Sequence, residues 1–334
     1  MKRRSIARLA PVAAASAAAL LTVGISSPAY AASTNASVQN DTLTITGSPA
    51  SDSLALRLAA NSDQTLEVDF GDNGTADFSF DRNTFSRIAI SLRNGNDHFR
   101  VDEANGTFTD EAITVSGDNG SDTMEGGGGS EVFFGGAGND FVDGNKGNDA
   151  ASLSSGFDTF RWDPGDGSDL IDGASGRDTL EFNGADADEV MSLTKSGSLA
   201  VFNRDLGNIR MVMDNVDDLD LNALGGADQV TIGDMSGTDF RAANVNLAAD
   251  TGSPDGASDL VTIDGSPQAD RISLGSDGPQ VVAQGSTIID TNISGAELAD
   301  KVQVDSGDGN DRVTVDGTVF ALMDIGVDLG AGQL

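Results

Sequence analysis

GDNGSDTME, GGGGSEVFF, GGAGNDFVD and GNKGNDAAS follow one another without a gap from Gly117 to Ser152. A fifth copy, LSSGFDTFR, starts at Leu153. Trp162 and Asp163 interrupt the count, and PGDGSDLID from Pro164 and GASGRDTLE from Gly173 close the stretch at residues 117–181. Aligned, these nine-residue copies agree in three columns. The fourth position is glycine: Gly120, Gly129, Gly138, Gly147, Gly156, Gly167, Gly176. The sixth is acidic: Asp122, Glu131, Asp140, Asp149, Asp158, Asp169, Asp178. The eighth is apolar: Met124, Phe133, Val142, Ala151, Phe160, Ile171, Leu180.

The columns have a physical reading. Glycine admits the positive φ of a tight turn, and the acid sits at the turn's exit. The apolar residue two places on faces inward, because side chains alternate along a strand. Two units make one coil, so each turn stacks on the turn two units later. Stacking brings Asp122 to Asp140, Asp140 to Asp158 and Glu131 to Asp149, carboxylates that repel unless something neutralises them. The Trp162–Asp163 insertion falls where stacking between Asp149 and Asp169 stands to break.

The pattern resembles the RTX nonapeptide G-G-x-G-x-D-x-U-x, a calcium-binding parallel β-helix repeat. The resemblance implies several Ca2+ ions between stacked turns, held by backbone carbonyls and by the sixth-position acids Asp122, Glu131, Asp140, Asp149, Asp158, Asp169 and Asp178. Calcium takes six to eight oxygens, and these turns offer only oxygen. Beyond the repeat, PGDGSD, GRDTLEFNG and the GGAD turn near residue 225 look like a group of bacterial secreted RTX-type proteins. The expected fold is all-β: a right-handed parallel β-helix or β-roll solenoid with degenerate β-solenoid flanks.

Composition agrees. Of 19 basic residues, four (Lys2, Arg3, Arg4, Arg8) lie in residues 1–31, which hold no acid; the rest of the chain sets 53 acids against the remaining 15, a net −38. That charge repels nucleic acid and anionic membrane surfaces and favours bound cations. There is no cysteine to staple thin coils, which leaves metal clips.

Residues 1–31 read as a secretory signal peptide. A basic start precedes an apolar core from Leu9 to Ile25, and Ala29-Tyr30-Ala31 fits a small-x-small cleavage site. The expectation is a secreted, extracellular protein without membrane insertion after cleavage. Residues 32–116 form an N-terminal flank of alternating strands, including Leu43-Thr-Ile45 and Leu66-Glu-Val68-Asp-Phe70. At 92–100 a solitary unit, LRNGNDHFR, puts Gly95, Asp97 and Phe99 in the three columns. Residues 182–334 form a C-terminal flank with weaker columns: Gly226, Asp228 and Val230, then Gly309, Asp311 and Val313. ITGSPASDSLAL at 45–56 is echoed by IDGSPQADRISL at 263–274, as in a solenoid with degenerate ends. Separate β-sandwiches are the alternative.

No catalytic constellation rises above the acidic background. His98 is the single histidine, which excludes HExxH proteases and histidine triads, and no G-x-S-x-G elbow occurs. Asp217-Asp218 or Asp186 with Asp188 could serve a glycosidase, and Arg204, Arg210 or Arg241 a calcium-dependent polysaccharide lyase. Three classes stay open: a calcium-binding structural or interaction module, which the sequence favours; a polysaccharide-active β-helix enzyme; and a surface adhesin or matrix component that meets glycans or the cell surface.

Overall fold

The computed structural model describes residues 34–330; residues 1–31, expected from the sequence to be a signal peptide, lie outside them. Among the described residues the regular structure is β, apart from the 3₁₀ turns Arg82–Thr84, Leu206–Asn208 and Val319–Ala321. The chain divides into two compact units. One comprises residues up to 161 with 165–176, the other 162–164 with 177 onward. Each is a parallel β-solenoid.

In the first unit, two facing ladders run through the repeat. Ala112–Asn119, Val132–Ala137 and Ala150–Gly156 pair in parallel, Phe133 standing beside Val115 on one side and Ala151 on the other. On the second face, His98–Asp102, Thr123–Glu125 and Phe141–Asp143 do the same, with Met124 between Phe99 and Val142. Partners are 18 residues apart within the tandem copies, so two nonapeptides make one coil. Met124, Phe133, Val142, Ala151, Phe160 and Ile171 are buried, and Leu180 likewise in the second unit. Each larger side chain of this column contributes roughly 1.5–3 kcal/mol of burial. The solitary unit at 92–100 is a true coil: Ser53–Leu58 pairs in parallel with His98–Asp102.

The flanks differ from a simple degenerate coil, because antiparallel excursions interrupt them. Asn35–Gln39 folds back on Thr42–Thr46 through Asn40 and Asp41, both at positive φ, as a type I′ hairpin requires. Ser53–Leu58, Thr65–Phe70 and Phe78–Asp81 form an antiparallel meander.

The second unit repeats this plan. Val190–Ser196, Leu199–Arg204 and Ile209–Asp214 form one meander, and Arg271–Asp277, Gln280–Gly285 and Asp290–Ser294 another. Parallel coils connect them, such as Gln229–Ile232 with Leu260–Asp264 and with Val190–Ser196. An amide ladder crosses the coils: Asn222 Nδ2 donates to Asn183 Oδ1 (2.9 Å) and Asn246 Nδ2 to Asn222 Oδ1 (3.1 Å). Trp162 stacks on Phe182 with ring centroids 4.2 Å apart, under the guanidinium of Arg204. The two Gly-Ser-Pro echoes occupy equivalent places, each leading into the first strand of a meander.

Candidate metal centre

The sixth-position acids form two hydrogen-bonded files. In one, the backbone N–H of Asp52 donates to Asp97 Oδ1 (2.7 Å), that of Asp97 to Asp122 Oδ1 (2.8 Å), that of Asp122 to Asp140 Oδ1 (2.8 Å) and that of Asp140 to Asp158 Oδ1 (2.8 Å). In the other, Glu131 N–H donates to Asp149 Oδ1 and Asp149 N–H to Asp169 Oδ1, both at 2.7 Å. One carboxylate oxygen therefore closes each turn against the coil before it. The Trp162–Asp163 insertion does not break the file: Asp149 and Asp169 are bonded across 20 residues. The insertion leaves the parallel register of Ala150 with Leu170 intact, and its Trp162 is fully buried at the end of the strand Thr159–Trp162.

A second ladder, at position five, had no sequence expectation. Asn96 N–H donates to Ser51 Oγ, Ser121 N–H to Asn96 Oδ1, Asn139 N–H to Ser121 Oγ and Phe157 N–H to Asn139 Oδ1, at 2.9 to 3.1 Å. The recurrence of Ser or Asn before the acid was its visible signal.

The inner oxygen of the acids is the distinctive feature. Asp122 Oδ2, Asp140 Oδ2 and Asp149 Oδ2 are buried and accept no hydrogen bond. The model of the family described as RTX calcium-binding nonapeptide repeat (4 copies) matches residues 116–151, 125–160 and 165–186, the stretch that carries these oxygens. The chain carries RTX calcium-binding repeats. Repeats of this kind bind Ca2+ at multiple sites. No curated protein matches the chain.

The RTX turns fit such an ion. Where the first position is glycine, a Cβ would crowd the acid: on Gly135 it would stand 2.6 Å from Asp140 Oδ2 and 2.5 Å from the carbonyl oxygen of Leu153. On Gly117 it would meet Asp122 Oδ2 and the carbonyl of Gly135. Carboxylate and carbonyl oxygens thus converge on spaces without a donor hydrogen, a hard-cation environment. Among the described residues no three acidic or histidine side chains gather as a metal cluster, so backbone carbonyls must supply much of a coordination shell.

Electrostatics agree. Burial, opposed by the incoming N–H bond and reinforced by neighbouring carboxylates, pushes the Asp122 carboxyl up to about 7 and that of Asp149 up to about 9. Asp169 and Glu131 rise to about 7 for the same leading reason, and Asp140 also rises. Without a cation these turns hold protons more tightly than free carboxylates do.

Glu131 differs from its neighbours. Its extra methylene lets Oε2 reach back to accept Gly127 N–H at 3.0 Å. Asp158 stands in the first file and Asp169 in the second, while Asp178, in the second unit, donates its N–H to Asp217 Oδ2 at 3.1 Å. The columns also continue outside the matched stretch: Glu189 N–H bonds Asp228 Oδ1, Asp228 N–H bonds Asp259 Oδ1 and Asp259 N–H bonds Asp300 Oδ1, at 2.9 to 3.0 Å.

Proposed function

We propose that the chain is a secreted calcium-binding structural or interaction module whose RTX turns fold as they take up Ca2+. The ligands are the sixth-position acids Asp122, Asp140, Asp149, Asp158, Asp169 and Asp178 with neighbouring backbone carbonyls; Glu131 stands in the same column with one oxygen already engaged. The observation that carries the reading is the set of buried, donor-free inner oxygens on Asp122, Asp140 and Asp149. A buried anion without a partner is costly. Bound calcium supplies the missing positive charge, and binding energy then becomes folding energy.

Secretion rests on the leader-like residues 1–31 and on the habit of RTX proteins; no helix among the described residues is long and apolar enough to cross a membrane. Extracellular calcium modules bind at about 10⁻⁴–10⁻³ M, so the block stays loose in a low-calcium cytosol and orders outside the cell. Two of the three arginines that could serve a lyase are engaged: Arg204 is buried against Glu189 and Trp162, and Arg241 pairs with Asp217 at 2.7 Å. That favours a non-catalytic role. Titration calorimetry of the full chain tests the reading. Calcium binding at several sites in the submillimolar to millimolar range is expected, with magnesium a poor substitute because it demands a small octahedron. Absence of calcium binding at millimolar concentration would refute it.

A further inference from the structure

Sorting the turns by what meets the inner carboxylate oxygen separates two classes. In the first, protein groups satisfy it. The Gly-Ser-Pro turns do so with serine: Ser48 N–H and Oγ both donate to Asp52, and Ser266 N–H (2.7 Å) and Oγ (2.8 Å) to Asp270. Ser306 Oγ does the same for Asp311 at 3.0 Å. Glutamate does it by length, Glu131 reaching Gly127 N–H and Glu189 reaching Ala185 N–H at 2.9 Å. Arginine does it by charge, Arg204 on Glu189 and Arg241 on Asp217.

In the second class nothing donates. Asp122, Asp140 and Asp149 belong here, and so do two residues outside the matched repeat, Asp97 and Asp228. Both are almost completely buried, at 3% and 1% exposure. A second, independent feature runs with this division at all but two of these turns. The fourth-position glycine is left-handed in the turns of Asp122, Asp140 and Asp149 (φ +134°, +133°, +140°) and equally in those of Asp97 and Asp228 (Gly95 +136°, Gly226 +131°). Its counterpart Gly129 in the Glu131 turn is outside that range, as are Ala50, Ala187 and Gln268 in the Asp52, Glu189 and Asp270 turns. Gly309 and Asn215 are left-handed, but there Ser306 and Arg241 meet the carboxylates of Asp311 and Asp217. Each left-handed glycine faces the fourth-position backbone of the coil before: Gly95 that of Ala50, Gly120 the carbonyl of Gly95, Gly138 that of Gly120 and Gly226 that of Ala187. The Asp97 and Asp228 turns therefore reproduce the backbone as well as the free oxygen of the matched turns. A first-position glycine is not what separates the classes, since Gly47 and Gly265 head the serine-capped turns. Leu92 and Ala223 hold that place here, as Leu153 does within the matched stretch.

We propose that Asp97 and Asp228 each complete a further Ca2+ site outside the recognised repeats, one in each unit, while the serine-capped turns at Asp52 and Asp270 are closed without metal. This rests on the reading of the matched block as calcium-binding. The test is the calcium stoichiometry of the full chain by equilibrium dialysis with 45Ca2+, for the wild type and for Asp97→Asn and Asp228→Asn. Asparagine keeps the acceptor for the N–H of Asp52 or Glu189 but loses the anion. Each variant is expected to bind one ion fewer per chain, and Ser266→Ala to bind as many as the wild type. Hydrogen exchange of the wild type guards against a variant that fails to fold. The backbone around Asp97 and Asp228 should gain protection on adding calcium, beyond that around Asp52 and Asp270. Unchanged stoichiometry in a folded variant removes that site, and so does calcium-independent exchange at its turn. A wild type that binds no calcium at all refutes instead the reading of the block.

Discussion

Asp140 has two duties that substitution can separate. Its Oδ1 accepts Asp122 N–H, and its own N–H reaches Asp158 Oδ1. Asp140→Ala leaves a buried N–H unsatisfied, a loss of about 1–3 kcal/mol with or without calcium. Asp140→Asn keeps that bond and removes a buried charge, so thermal melts should show it at least as stable as the wild type in chelator and less stable in calcium. An asparagine variant as damaged as alanine in chelator would show that the charge, not the hydrogen bond, holds the turn. Gly138 illustrates a different constraint. It sits at φ +133°, and an added Cβ would run into the carbonyl oxygen of Gly120. Gly138→Ala therefore combines strain of about 1–3 kcal/mol with an overlap that only backbone movement relieves. Urea unfolding in calcium should show a loss at least that large, whereas Gly278→Ala, in open space at φ +60°, should show the strain alone.

At the level of the stacked turn, pH and calcium oppose one another. The folded carboxyls of Asp122, Asp169 and Asp149 sit at about 7, 7 and 9, against an ordinary value of 3.8. The folded, metal-free turn binds more protons than the unfolded chain. Its stability from these groups is complete below about pH 4 and is lost as pH rises through 7 and beyond. In chelator the melting temperature should therefore fall between pH 5 and pH 8; in millimolar calcium, which needs the ionised acids, it should hold or rise. Equal slopes in the two conditions would contradict the assignment. The turn was also the most legible part of the sequence. Uninterrupted nine-residue copies exposed the glycine, acid and apolar columns, and all three have a direct structural role. What the sequence hid was the split between the two carboxylate oxygens. An aspartate letter does not say whether its second oxygen meets Ser48, Arg241 or nothing; that depends on a residue four places back or on another coil.

For the molecule as a whole, the flanks obscured themselves by insertion. Stacked acids are 18 residues apart at Asp122 and Asp140, but 45 at Asp52 and Asp97, 39 at Glu189 and Asp228 and 41 at Asp259 and Asp300. Antiparallel meanders of varying length fill the difference, so no fixed period survives although the coil does. Serine, glutamate and arginine closures are concentrated in these flanks, which predicts graded dependence on metal. Trp162, stacked on Phe182 in the second unit, should keep a buried, blue-shifted emission in chelator while the far-ultraviolet β signal weakens; simultaneous loss of both would mean that the flanks depend on calcium as heavily as the repeats. The central claim is that calcium binding and folding of the RTX turns are one event. The most direct measurement is thermal unfolding by circular dichroism in chelator, in 10 mM calcium and in 10 mM magnesium. A hundredfold excess over Kd stabilises by about 2.7 kcal/mol per site, so several sites should raise the melting temperature strongly in calcium and little in magnesium. A melting curve and β signal that are the same in all three would contradict the account.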